Sequence, residues 1–289
     1  MLARFNDLSA SARGTILLLV AMVFFTVMMI GTRMAGQHMP AVQLMFLRGI
    51  LMQLMILAIV GPAWRSLLKT RNLPHNLLRA GFSSGASFTT TLAVIYLPLA
   101  LATALSFTYA IFLTLGAVIF LRESVGVGRW IATFVGLGGV VLMLSPLQMG
   151  DAFYIGVALL GAVLSAGMVL TLRGTDPDES TWTVITYQFL PALPVLLIPT
   201  LMSWHTPSAE GWLWLGIVSA TSCIGQFLLI RAYQLAEASR LASLDFVRLV
   251  MMVACGLVFF GESISLTLVS GAAIVLCTTL YTVSRNSRV

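Results

Sequence analysis

The stretch Phe107 to Glu123, FTYAIFLTLGAVIFLRE, aligns without gaps on Phe246 to Glu262, FVRLVMMVACGLVFFGE. In both, an apolar run long enough to cross a bilayer ends in a glutamate followed by serine. Upstream, Phe82 to Ala100 (FSSGASFTTTLAVIYLPLA) lies over Ser219 to Ala236 (SATSCIGQFLLIRAYQLA), with Tyr96 on Tyr233. Further upstream still, Arg33 falls on Arg173 and Arg48 on Gln188. Three span pairs matched in the same order mark an internal repeat of about 140 residues, which mis-assigns the whole fold if overlooked.

The 289 residues are 59% apolar and 9% charged. Soluble chains carry roughly 25% charged residues, so this chain belongs in lipid. Runs of about 20 apolar residues match a hydrocarbon core roughly 30 Å thick. They are continuous rather than alternating, which excludes a barrel and leaves helices as the spanning form. The sequence predicts an all-α integral membrane protein of ten transmembrane helices. The spans fall near 14–33, 40–60, 77–97, 101–121, 127–145, 153–172, 181–202, 210–233, 240–260 and 265–283. Each half, 1–146 and 147–289, holds five, an odd number. The second half must therefore enter the membrane inverted, a plan that recurs among secondary transporters.

The net charge of +6 does not indicate nucleic acid, because the basic residues sit at helix ends rather than in one patch. With a cytoplasmic N-terminus, Arg4, Arg13, Arg65, Lys69, Arg71, Arg79, Arg122, Arg129, Arg173, Arg231, Arg240, Arg285 and Arg288 lie on the cytoplasmic side. Only Arg33 lies opposite, and Arg48 and Arg248 fall within spans, so both termini are expected in the cytoplasm. Met1 to Arg13 lacks a cleavage site after the apolar run and is read as leading into a first span. Cys223, Cys255 and Cys277 are scattered through apolar spans and suggest neither disulfides nor a metal site. No cofactor is expected.

The whole chain resembles the drug/metabolite transporter superfamily, specifically bacterial carriers with two EamA domains. The residues that carry the resemblance are Phe46-Leu47-Arg48, Leu121-Arg122-Glu123, Phe260-Gly261-Glu262 and the small-residue start Ala100 to Ala104. The resemblance implies a carrier of the bacterial inner membrane that exports amino acids and metabolites, or takes up cofactors and nucleotide-like compounds.

An ionised side chain at the bilayer centre costs at least ~2.5 kcal/mol, so each one needs a reason. Arg48 lies eight residues past Pro40, roughly 12 Å deep at 1.5 Å per residue. Its forked guanidinium suits a carboxylate or phosphate of the substrate. The other reading is a structural Arg bonded to backbone carbonyls of a neighbouring helix, or a gating role. The resemblance favours structure or gating, because the family commonly has Arg here whatever the substrate. Asp245 and Arg248, three apart, share a helix face and can pair. In a sharper reading, Arg248 takes a substrate carboxylate while Asp245 holds an amine or a coupling proton. Their first-half counterparts are Ser106 and Tyr109. Tyr187 and Gln188 mirror Arg48 and offer a ring and an amide, or serve as glue between helices. Gln226 needs several partners. Ser83, Ser84, Ser87, Thr89, Thr90 and Thr91 line a wet path or bond their own helix.

Pro191, Pro194 and Pro199 crowd the seventh span and predict a bend. Gly81, Gly85, Gly136, Gly138 and Gly139 predict close helix contacts. Six tryptophans near span ends form an interfacial belt. The fifteen methionines suit packing or an adaptable apolar pocket.

A secondary transporter predicts a central cavity between the halves. The sequence has no phosphate-cradling loop, so protons or an exchanged solute would drive transport. An intramembrane enzyme would need a nucleophile and base or a metal, yet His38, His75 and His205 fall in loops or at span edges. A flippase of lipid-linked sugars would need a lateral opening. The expected substrate is zwitterionic or anionic with an apolar body. Export of an amino-acid-like metabolite is preferred, with uptake of a flavin or a sulfonium nucleoside as the alternative.

Overall fold

The computed structural model describes residues 10–70, 72–121, 127–144, 152–172, 180–235, 245–262 and 265–286. Arg4, Arg71, Arg122, Glu123, Arg173, Arg240 and Arg288 lie outside the described residues, as do the side chains of Arg129, Tyr233, Asp245 and Arg285. Every regular element among the described residues is helical. In chain order these are α1 (Ala10–Ala35), α2 (Ala41–Val60), α3 (Leu73–Tyr96), α4 (Leu99–Ser106), α5 (Tyr109–Leu121) and α6 (Val127–Leu144). The second half holds α7 (Ala152–Leu172), α8 (Thr181–Phe189), α9 (Leu193–Met202), α10 (Ala209–Leu235), α11 (Asp245–Phe260) and α12 (Leu266–Asn286). Joining α4 to α5 and α8 to α9 gives the ten expected spans. Five helices are long and apolar enough to cross a membrane on length and composition, at 12–35, 41–65, 152–171, 181–202 and 209–232.

Two spans are interrupted, for different reasons. In the seventh, α8 ends at Phe189, a 3-10 turn covers Leu190–Ala192, and α9 begins at Leu193. Pro191 and Pro194 have no N–H, so the carbonyls of Tyr187 and Leu190 lose their helical donors and the winding tightens there. The helical winding is therefore interrupted where the prolines crowd. The fourth span was expected to be continuous from 101 to 121, and here the structure differs. Phe107 N–H is shared between the carbonyls of Thr103 and Ala104, and the N–H groups of Thr108 and Ile111 reach back only three residues. Ser106 Oγ donates to Thr103 O at 2.6 Å and Thr108 Oγ1 to Leu105 O at 2.7 Å. Hydroxyls that back-bond in this way compete with the helical ladder and bend it. The sequence shows neither Gly nor Pro at this point, so the usual breakers give no warning.

The chain forms two compact units, 1–77 with 176–251 and 78–175 with 252–289. Each draws helices from both halves, so the repeats are intertwined. In the first unit α10 packs along α1, where Leu18, Met22, Phe25 and Ala232 form a buried cluster. A second cluster joins Met52 and Ile56 of α2, Ile185 and Phe189 of α8 and Cys223 of α10. In lipid such contacts rest on close fit rather than on escape from water.

In the second unit α12 packs along α6, and a Cβ at Gly139 would stand 2.9 Å from the backbone oxygen of Gly271. Gly85 and Gly136 likewise meet neighbouring helices, at Leu164 and at Ile111 with Thr278. Gly81 and Gly138 have nothing within 4 Å and do not mark contacts, which corrects that part of the expectation. Both face outward at their helical positions, so spacing alone misled.

Candidate functional site

Arg48 is positioned by the face it shares with Met52 and Ile56, at spacings of four residues along α2. Those two side chains are fully buried against Ile185 and Phe189, so the face, Arg48 included, is turned onto α8. The guanidinium carbon stands 5.4 Å from the centroid of the Phe189 ring. Arg48 is only 6% exposed, and its Nε is buried without a hydrogen-bond partner among the described residues. Phe189 is the last residue of α8, where a helix presents the negative end of its dipole. That end and the ring face both attract a cation. Neither is a counter-ion, and a buried ion with no opposite charge, as here among the described residues, carries a desolvation cost of several kcal/mol.

Around the same break, Gln53 Nε2 donates to Thr186 O at 3.2 Å. Thr186 O also accepts Leu190 N–H, so this carbonyl holds the end of α8 to α2. Thr186 Oγ1 is buried without a partner among the described residues. Tyr187 is buried and donates its hydroxyl to Leu68 O at 3.0 Å. Its oxygen therefore ties α8 to the 3-10 segment Gly61–Leu68, as glue would, and its ring remains to be used. Gln188 is half-buried on α8. Gln226 is half-buried on α10 beside Phe227, whose ring stacks on Trp182 with centroids 4.7 Å apart.

Arg248 is half-buried on α11 in the first unit. Asp245 opens that helix, but its side chain lies outside the described ones, so the expected pairing falls there too. Ser106 and Tyr109 belong to the second unit and flank the interruption of the fourth span. Thr89 Oγ1 and Thr91 Oγ1 donate to Gly85 O and Ser87 O, one turn back, at 2.9 and 2.8 Å. These two hydroxyls serve their own helix.

Three contributors escaped the reading of the sequence. Phe189 carries no polar atom that would have marked it. Gln43 and Gln53 sit in an apolar span just as Gln226 does, and the demand of a buried amide for partners applies to them equally. Gln43, fully buried, donates to His205 O at 2.7 Å and accepts from His205 N–H at 2.9 Å.

With this geometry in place, comparison with known proteins assigns the class. A model of the EamA-like transporter family matches residues 12–145 and again 152–284. The chain belongs to that family. The chain is similar to a riboflavin transporter of Vibrio cholerae serotype O1, 29% identical over 183 residues, 62% of this chain and 60% of that one. It is similar to an S-adenosylmethionine uptake transporter of Rickettsia prowazekii, 24% identical over 96% of this chain and 94% of the relative. A pseudopaline exporter of Pseudomonas aeruginosa is 26% identical over 91% of this chain and 93% of its own. A crystal structure at 15% identity superimposes with a TM-score of 0.66 over 96% of this chain and 99% of the other, a likeness of fold. Family and relatives define a multi-pass membrane protein that transports small metabolites.

Proposed function

We propose that this chain moves a cofactor-like or nucleoside-like organic metabolite bearing an anionic group across the bacterial plasma membrane by alternating access, with Arg48 receiving the anion. The single observation that carries the reading is Arg48 itself. It is buried in α2, it packs against the face of Phe189, and it lies beside a helix broken near mid-span. Broken helices at the membrane midplane form the substrate sites of many secondary transporters. An incoming carboxylate or phosphate would supply the missing counter-charge, and the ring would pack an apolar body.

Relatives that carry riboflavin and S-adenosylmethionine support the cofactor side of the expectation, while the relatives named lend no specific support to amino-acid export. The pseudopaline exporter keeps export open as a direction. Asp245 is proposed as the proton carrier, Arg248, Gln188, Gln226, Ser106, Tyr109 and the Tyr187 ring as further substrate contacts, and both termini as cytoplasmic.

Proteoliposomes containing the purified chain provide the test, with labelled riboflavin, S-adenosylmethionine and a panel of amino acids as solutes. Flux above that of empty liposomes for S-adenosylmethionine, which bears a carboxylate, supports the proposal. Flux for riboflavin alone, which is uncharged at neutral pH, would keep the cofactor class and remove the anion from Arg48. Flux for amino acids alone would reverse the choice of substrate class, and flux for none of them would remove it.

A further inference from the structure

The short helix α4 is buried along its length from Leu99 to Leu105, yet it has no side-chain cap of its own, because Pro98 stands at the N-cap. The first N–H groups of any helix lack internal partners. Here Leu99 N–H donates to Glu262 Oε1 at 2.9 Å, across 163 residues of chain. The carboxylate reaches that point because of how α11 ends. Gly261 takes φ +60°, a left-handed conformation natural to glycine. Glu262 N–H then turns back to bond Gly256 O at 3.0 Å. This lays the side chain over Gly256, where a Cβ would stand 2.5 Å from Oε2. Two glycines and one backbone bond therefore fold the glutamate into place, and the acid lies at the positive end of a helix dipole.

We infer that Glu262 is a positioning residue: its carboxylate fixes the N-terminus of α4 and thereby sets Ser106 and Tyr109, at and just past the other end of that helix. The assignment rests on the reading of those two residues as substrate contacts. As a rod of eight residues, α4 is roughly 12 Å long. It joins α5 through Phe107–Thr108, where the hydrogen bonding is irregular. With the ladder interrupted at that end, the cap at the other end and the packing around α4 set its position. A carboxylate suits the task better than an amide, since charge-assisted bonds to backbone N–H groups are the stronger kind.

Hydrogen exchange on the purified full-length protein tests the cap without relying on transport. Glu262→Ala should speed exchange of the Leu99–Thr103 amides by about threefold to thirtyfold, the range of a lost cap, while peptides of α10 stay unchanged. Glu262→Gln keeps an acceptor and should lie between. Gly256→Ala displaces the carboxylate with Glu262 still present and should reproduce the alanine phenotype, which keeps the test open if Glu262→Ala fails to fold. Unchanged exchange in α4, or an equal rise in α10, overturns the cap. In flux assays Glu262→Ala should raise KM several-fold, with no further loss on adding Ser106→Ala. Independent, additive losses would sever the link to Ser106. If wild type shows no flux with any solute, the transport reading fails while the exchange result still decides the cap.

Discussion

The guanidinium of Arg48 lies 5.4 Å from the ring centroid of Phe189, on the residue where the seventh span stops being an α-helix. A structural arginine bonded to neighbouring carbonyls and an arginine waiting for an anion behave differently when removed. Arg48→Met deletes a buried charge and should raise the melting temperature of the ligand-free protein, as apolar replacements of buried ions often do. The same variant should lose the stabilisation given by substrate. Arg48→Lys keeps the charge but not the fork, and should weaken binding about tenfold or more. A lower melting temperature for Arg48→Met in thermal denaturation would make the residue structural.

Asp245→Asn is the corresponding test of coupling. Uptake driven by an imposed pH gradient should vanish, while exchange of substrate down equal gradients continues, because the amide cannot carry a proton. Unaltered pH-driven uptake in proteoliposomes would leave Asp245 without that role.

Gln43 tests how firmly the loop around His205 is held. Both the N–H and the C=O of His205 are satisfied by one buried amide. Gln43→Ala leaves two backbone groups without partners and should cost about 2 kcal/mol or more. Gln43→Glu would set a buried carboxylate against the His205 carbonyl, and should destabilise at least as much as alanine at neutral pH in chemical denaturation.

Adjacent glycines of α6 should respond oppositely to the same change. Gly139→Ala drives a methyl toward the backbone of Gly271, which cannot swing away as a side chain can, and should cost about 1–3 kcal/mol. Gly138→Ala has open space and should be neutral or slightly stabilising, since alanine favours the helix. Thermal stability in the same detergent compares the two directly.

The sequence alone determined the number of spans, the inverted repeat and the family, because each follows from a local quantity. Apolar run length is fixed by bilayer thickness, and the repeat by residue matches along the chain. It also located the break in the seventh span, since Pro191 and Pro194 announce their missing donors. Tertiary structure alone decided the rest. That α8 offers Arg48 a ring depends on which faces of α2 and α8 meet, and no residue pattern in either helix states the pairing. The interruption at Phe107–Thr108 depends on hydroxyls choosing carbonyls of their own helix over other partners, a competition settled by the surroundings. Glu262 was visible as a motif at the end of the stretch that revealed the repeat. Its hydrogen bond to Leu99 was not, because a cap supplied from 163 residues away exists only after the chain has folded.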